Sequence, residues 1–112
     1  MAKGIRMTSQ WRELDEPTVA SLGGHMGVYM LRSADGEVVL IGFAGGKSPF
    51  GLRGELRAQL EKAQEATWFR CEVTTSYLSR YYELLMTHLY DHGTLPRDNQ
   101  DDPQRLGRLH PA

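Results

Sequence analysis

Apolar and polar positions fall into blocks of different period along the chain, and the periods predict its elements. Two short apolar runs, Val28-Tyr29-Met30-Leu31 and Val38-Val39-Leu40-Ile41, flank the turn-forming stretch Ser33-Ala34-Asp35-Gly36. Runs of this kind on either side of an Asp-Gly turn predict an antiparallel hairpin. Gly45, Gly46 and Pro49 then break the pattern into a loop. Beyond it Leu52, Leu56, Leu60 and Ala63 recur at helical spacing and predict a helix with these four on its buried stripe. Arg53 sits about 100° around from Leu52, at the margin of that stripe, and Arg57 follows one turn later. Residues 67–74 alternate and are rich in β-formers, which predicts a third strand. Ser76 is placed to cap a second helix ending near Gly93, with Leu78, Tyr82, Leu85 and Leu89 as its buried line.

The flanks are less periodic. Residues 1–26 carry Trp11, Leu14, Val19 and Leu22 without a sharp repeat, and are expected as a lead-in that packs as a short helix or arm. Residues 27–99 are expected to form one domain, and 100–112 a tail, with loosely held polar chain beginning near Arg97. A chain of 112 residues suits a single core. With 40% hydrophobic and 24% charged residues, a compact fold is expected rather than disorder.

Composition narrows the functional classes. No apolar run approaches the roughly 20 residues of a membrane helix. The opening residues Met1-Ala2-Lys3-Gly4-Ile5-Arg6 lack the apolar core of a secretory signal. The single cysteine, Cys71, cannot form an internal disulfide, so a reducing, cytoplasmic setting is expected. A net charge of −1 and a pI of about 6.4 argue against a generally basic nucleic-acid binder. Positive charge is local instead, at Arg53, Arg57, Lys62 and Arg70.

Chemistry-bearing residues follow one another in a recognisable order. Gly27-Val28-Tyr29 opens the first strand, Leu40-Ile41-Gly42 closes the second, Arg53 lies on the next helix, Glu83 on the later helix, and Asn99 follows Leu95-Pro96. This order resembles the GIY-YIG nuclease superfamily across residues 27–99, most of the chain. The resemblance implies an α/β (α+β) fold, a small three-stranded antiparallel sheet flanked by helices, with catalytic groups on one surface. It implies a metal-dependent endonuclease that hydrolyses DNA phosphodiester bonds with a divalent cation, Mg²⁺ or Mn²⁺. Tyr29, Arg53, Glu83 and Asn99 are then the expected catalytic residues, and Glu83 the expected metal ligand. Arg53 would grip the phosphate, Tyr29 would act as base or assist one, and Asn99 would orient backbone or phosphate near the site. Lys47 and Arg57 are the expected substrate contacts, with RNA or a protein as the other possible partners.

The chain departs from the family pattern at two positions. Leu40 stands where the second motif carries tyrosine, and a leucine cannot donate, accept or relay a proton. Arg57 stands where many members carry histidine. Leu40 and the near-neutral overall charge support an alternative: a non-catalytic module, on the same scaffold, that binds nucleic acid or protein. Simpler roles exist for each residue: Tyr29 as a buried ring, Arg53 as a cover for the leucine stripe, Glu83 as a solvated partner of Arg80 or Thr87. His88, Asp91 and His92 have metal-ligand chemistry, but histidines also suit the last turn of a helix. Gly45-Gly46-Lys47-Ser48 lacks the leading glycine of a phosphate-binding loop and is expected as a flexible loop before the helix, within reach of a DNA backbone.

Overall fold

The computed structural model describes residues 6–62 and 65–100. In chain order these are β1 (Arg12–Glu13), α1 (Glu16–Ala20), β2 (Gly27–Ser33), β3 (Val38–Ala44), α2 (Gly51–Lys62), β4 (Ala66–Val73) and α3 (Tyr77–His92), then a 3₁₀ turn, Arg97–Asn99. The fold is α+β, and all strand pairs are antiparallel in the order β1-β4-β2-β3. The sheet has four strands where three were expected. The extra strand, β1, is two residues long, pairing Arg12 with Phe69 and Glu13 with Trp68, too short to print a period on the sequence.

Helices cover both faces of β2 and β3, and this explains why their sequences are continuous apolar runs instead of alternating ones. Successive side chains still point to opposite sides. Val28, Met30 and Ile41 pack with Tyr81, Leu84 and Leu85 of α3, together with Met7 and Leu95. Tyr29, Leu31, Leu40 and Ala44 pack on the other face with Leu52 and Leu56 of α2, Val19 of α1 and Phe69. The α2 stripe is as expected, although Ala63 lies outside the described residues.

The lead-in belongs to the same fold. Met7 and Val19 are buried, one in each cluster. Asp15 caps α1 by accepting from the Thr18 N–H at 3.0 Å, and that bonding holds its carboxyl below the usual carboxylate range.

α3 is turned relative to expectation. Its buried residues are Tyr81, Leu84 and Leu85, whereas Leu78 and Leu89 are exposed. The shift is roughly 80° about the helix axis. Apolar residues occupy two adjoining stripes of this helix, and Phe43 selects between them. Its ring stacks on Tyr77 at 5.7 Å and meets Tyr81 edge-on at 4.9 Å. Ser76 occupies the N-cap position without a side-chain bond; its own N–H donates to the Thr74 hydroxyl at 3.0 Å. Gly93 ends the helix as expected, in the left-handed region at φ 76°. The polar stretch from Arg97 is not a loose tail at its start, because Arg97–Asn99 forms a turn and Asn99 is buried. The rest of the expected tail, 101–112, lies outside the described residues.

Candidate functional site

One end of the sheet brings both long helices together. Gly27 at the start of β2 pairs with Ala44 at the end of β3 and Val73 at the end of β4. The Leu52 N–H donates to the His25 carbonyl at 2.9 Å, fixing the start of α2. The Gly46 N–H donates to the Tyr77 hydroxyl at 3.1 Å, fastening the β3–α2 loop to the first turn of α3. A Cβ on Gly27 would lie 2.2 Å from the Glu72 carbonyl oxygen and 3.0 Å from Leu52 Cδ1. Only glycine lets α2 and the end of β4 approach this closely.

Arg53 lies in the first turn of α2, half-buried, and its Nη1 donates to the Leu22 carbonyl at 3.1 Å. Among the described residues it has no carboxylate partner. Glu83 lies on α3 with its side chain 46% exposed, and Arg80 Nη1 meets its Oε1 at 2.6 Å. The same guanidinium reaches Glu72 through Nε at 2.8 Å and Nη2 at 3.1 Å. Glu72 pairs with Val28, one residue inside the sheet end. A Glu72–Arg80–Glu83 chain therefore flanks that end on the α3 side while Arg53 flanks it on the α2 side. Glu72 and Arg80 carried no functional expectation. Their only sequence signal was the i, i+3 spacing of Arg80 and Glu83.

Tyr29 is elsewhere. It is 3% exposed within the α2-side cluster, with its ring against Gly42. Gln59 Nε2 reaches its hydroxyl at 3.4 Å. Strand alternation puts Tyr29 on the face opposite α3, so the structure does not gather Tyr29 and Glu83 onto the one surface expected for catalytic groups. Asn99 also differs from expectation. It is fully buried, its Oδ1 accepting from the Ile41 N–H and its Nδ2 donating to the Ile41 carbonyl, both at 2.9 Å. Both of its polar atoms are thus bonded to the edge strand, and its full burial keeps it from orienting a phosphate at the surface.

Of the two expected substrate contacts, Lys47 is exposed in the β3–α2 loop, and Arg57 is ion-paired with Glu16 of α1 at 3.2 Å. The Gly45–Ser48 loop consumes its own donors. The Gly45 N–H donates to the Ser48 hydroxyl at 3.1 Å, and that hydroxyl donates to Glu55 at 2.9 Å. With these bonds made inside the loop, it is not a phosphate cradle.

The opposite end of the sheet holds a cleft of about 470 Å³ between the β2–β3 turn and the end of α3, lined by Asp35, Glu37, His88, His92 and Arg97 among others. The His88 and His92 rings lie 4.4 Å apart, tilted by 35°, and His88 Nδ1 lies 2.8 Å from the Thr94 carbonyl. Asp91 is ion-paired with Arg6. Among the described residues no group of three or more histidine, cysteine or acidic side chains could hold a metal ion.

The class defined so far is a small α+β domain whose helices converge, with their charged residues, on one end of an antiparallel sheet. Within it, the chain belongs to the family described as a domain of unknown function, DUF7508, which matches residues 5–91. No curated protein and no solved structure matches the chain. Among the described residues no helix is long and apolar enough to cross a membrane.

Proposed function

We propose that this domain is a GIY-YIG-like, metal-dependent endonuclease that hydrolyses nucleic-acid phosphodiester bonds, with DNA as its substrate. The observation that carries the reading is that residues bearing the resemblance touch one another. Tyr29 of the first motif lies on Gly42 of the second, and Asn99 is bonded to Ile41 between them. A divalent cation suits the donors available: Glu83 and Glu72 are hard oxygen ligands that share one arginine, and Mg²⁺ takes only one or two carboxylates with water completing its shell. When bound, such an ion supplies Lewis-acid stabilisation of the leaving oxygen. Glu83 would hold it. Arg53 would neutralise charge on the phosphate through its planar fork. Tyr29, met by Gln59, would assist proton handling from within the fold. Asn99 would act as a positioning residue by fixing the strand that carries the second motif. A cytoplasmic location accompanies the reading, through the lone Cys71.

A second reading, the non-catalytic binding module, is favoured by specific observations. The Tyr29 phenol is buried, Leu40 has no hydroxyl, and Arg53 already donates to Leu22. Supercoiled plasmid incubated with Mg²⁺ or Mn²⁺ separates the two. The endonuclease nicks it and Glu83→Ala loses the nicking. Equal cutting by both proteins, or none by either, refutes the first reading.

A further inference from the structure

The part of the α3-side face that α3 leaves uncovered carries a ladder of arginines and indoles. Arg32 of β2 and Arg70 of β4 lie over the ring of Trp11, at 4.7 and 4.4 Å from its centroid, and Arg32 also lies 5.5 Å from the centroid of Trp68. The register explains the cluster. Trp68 pairs with Arg32 and Arg70 with Met30, so period-2 alternation puts Trp68, Arg70 and Arg32 on one side. Among the described residues, neither arginine has a carboxylate partner. Arg6, Arg57, Arg80 and Arg97, by contrast, are each ion-paired. The Nε atoms of both Arg32 and Arg70 are buried without a hydrogen-bond partner. Arg70 donates only a long bond, 3.5 Å, to the Ser9 carbonyl.

Two adjacent cations with unfilled donors leave the site short of an anion. Burial first, and then the charge of Arg32, pull the Arg70 pKa down; an anion between them would relieve both. Arg70 also borders a cleft of about 160 Å³ together with Arg6, Thr87, His88 and His92 over a floor that includes Met30 and Leu84. The acids nearby are Asp91, held by Arg6, Glu72, two residues along β4 on the same side and held by Arg80, and Glu13, which pairs with Trp68 in the same cross-strand row; none forms an ion pair with Arg32 or Arg70 among the described residues. Guanidinium forks match phosphate oxygens, and cations interleaved with aromatic rings are the usual composition of single-strand binding surfaces.

We infer that Arg32, Arg70, Trp11 and Trp68 form a phosphate-binding surface that seats the backbone of a single-stranded nucleic acid. The inference rests on the proposed action on nucleic acid, but it concerns binding and not cleavage. The indoles hold the guanidiniums in place at low entropy cost, and the two arginines contact successive phosphates.

Both tryptophans of the chain lie in this ladder, so intrinsic fluorescence reports on it directly. The full chain is titrated in EDTA with an unlabelled oligothymidylate of about 20 nucleotides, a length that exceeds one small domain's site. Quenching that saturates is expected, with affinity falling as salt rises. Arg32→Gln/Arg70→Gln should flatten the log–log salt slope by about 1.4 and weaken binding about 25-fold near 0.1 M salt, since each single-strand phosphate contact contributes about 0.7 to the slope. Arg32→Lys/Arg70→Lys should recover most of the slope, and Arg97→Gln should bind like the parent. Circular dichroism excludes misfolding of the glutamine variant; if it is misfolded, the comparison of parent and lysine variant decides, an unchanged slope without quenching counting against the site. Binding without tryptophan quenching, a slope unmoved by the glutamine pair, or equal displacement by polyglutamate, which would make this a face for acidic proteins, overturns the inference. Because cleavage is off in EDTA, binding can survive a failed nuclease test, and the reverse, so the two failures are distinct.

Discussion

Asn99 should be one of the most sensitive positions in the molecule. β3 is the outer strand of the sheet, and an edge strand leaves main-chain donors and acceptors without partners. Asn99 stands in for a missing neighbour at Ile41, donating one bond and accepting the other at 2.9 Å each. Replacing it with alanine leaves a buried N–H and a buried C=O orphaned, each costing about 1–3 kcal/mol. The expected loss is therefore about 2–6 kcal/mol, a large share of the 5–15 kcal/mol typical of a domain. At no less than about 4 °C per kcal/mol for a chain of this size, Tm should fall by at least roughly 8 °C. Urea melts followed by far-UV circular dichroism measure the change. Asn99→Asp adds a sharper test, because a carboxylate can accept from the Ile41 N–H but cannot donate to its carbonyl. Protonation restores the donor, so the variant's deficit should shrink on acidification and return as pH rises. A loss below about 1 kcal/mol for alanine, well under the cost of even one orphaned pair, would refute the account. A pH-independent deficit for Asn99→Asp would do the same.

Three other positions give direct tests. Gly42→Ala places a Cβ 2.4 Å from the Tyr29 Cζ and hydroxyl, so overpacking should cost about 1–3 kcal/mol in the same urea melts. Burial depresses the His88 pKa, with the nearby His92 adding to the effect against the Thr94 carbonyl and the charges of Asp91 and Glu37. A depressed imidazole contributes stability above its unfolded pKa, near 6.5, that is lost as pH falls through the folded value. Proton NMR should show His88 titrating below the ordinary range, and His88→Gln should flatten the stability profile on the acid side; titration at or above the ordinary value contradicts the assignment. Burial pushes the Cys71 thiol up, so an aromatic disulfide reagent should modify it far more slowly in native than in unfolded protein. Equal rates would show that the strand does not shield it.

Much of the fold was legible in the sequence because its elements have distinct periods. The Asp-Gly turn between two β-rich runs identified β2 and β3, the leucine stripe identified α2, and Gly93 the end of α3. Other features needed coordinates. β1 has two residues and no period. α3 offers two adjoining apolar stripes, and the choice depends on Phe43, which is more than thirty residues away from Tyr77 and invisible to a helical wheel. The resemblance gave Asn99 a role in orienting backbone or phosphate near the site, but its bonding to Ile41 depends on the chain folding back across β3. The arginine–indole ladder draws on residues 11, 32, 68 and 70. Alternation alone could have put Trp68 and Arg70 on one side of β4, while bringing in Trp11 and Arg32 required the register.

Whether Arg53 and Glu83 serve one reaction turns on how the end of the sheet is built. They are on helices that cover opposite faces, a geometry that would separate them at the middle of the sheet. At the Gly27 end Leu52 of α2 and the Glu72 backbone both close on the glycine, and Glu72 is tied to Glu83 through Arg80. Groups that act on one phosphate behave as a unit, so losing the second costs little once the first is gone. Arg53→Ala/Glu83→Ala should then nick plasmid no more slowly than Glu83→Ala alone, whereas independent roles would multiply the two losses. Arg80→Ala refines the test. It frees both carboxylates from their shared cation, so it should lower the Mg²⁺ concentration needed for half-maximal nicking if Glu83 is the ligand. Multiplicative losses in the double variant, or a Mg²⁺ requirement indifferent to Arg80, would mean that the two faces meet at the sheet end without sharing a substrate.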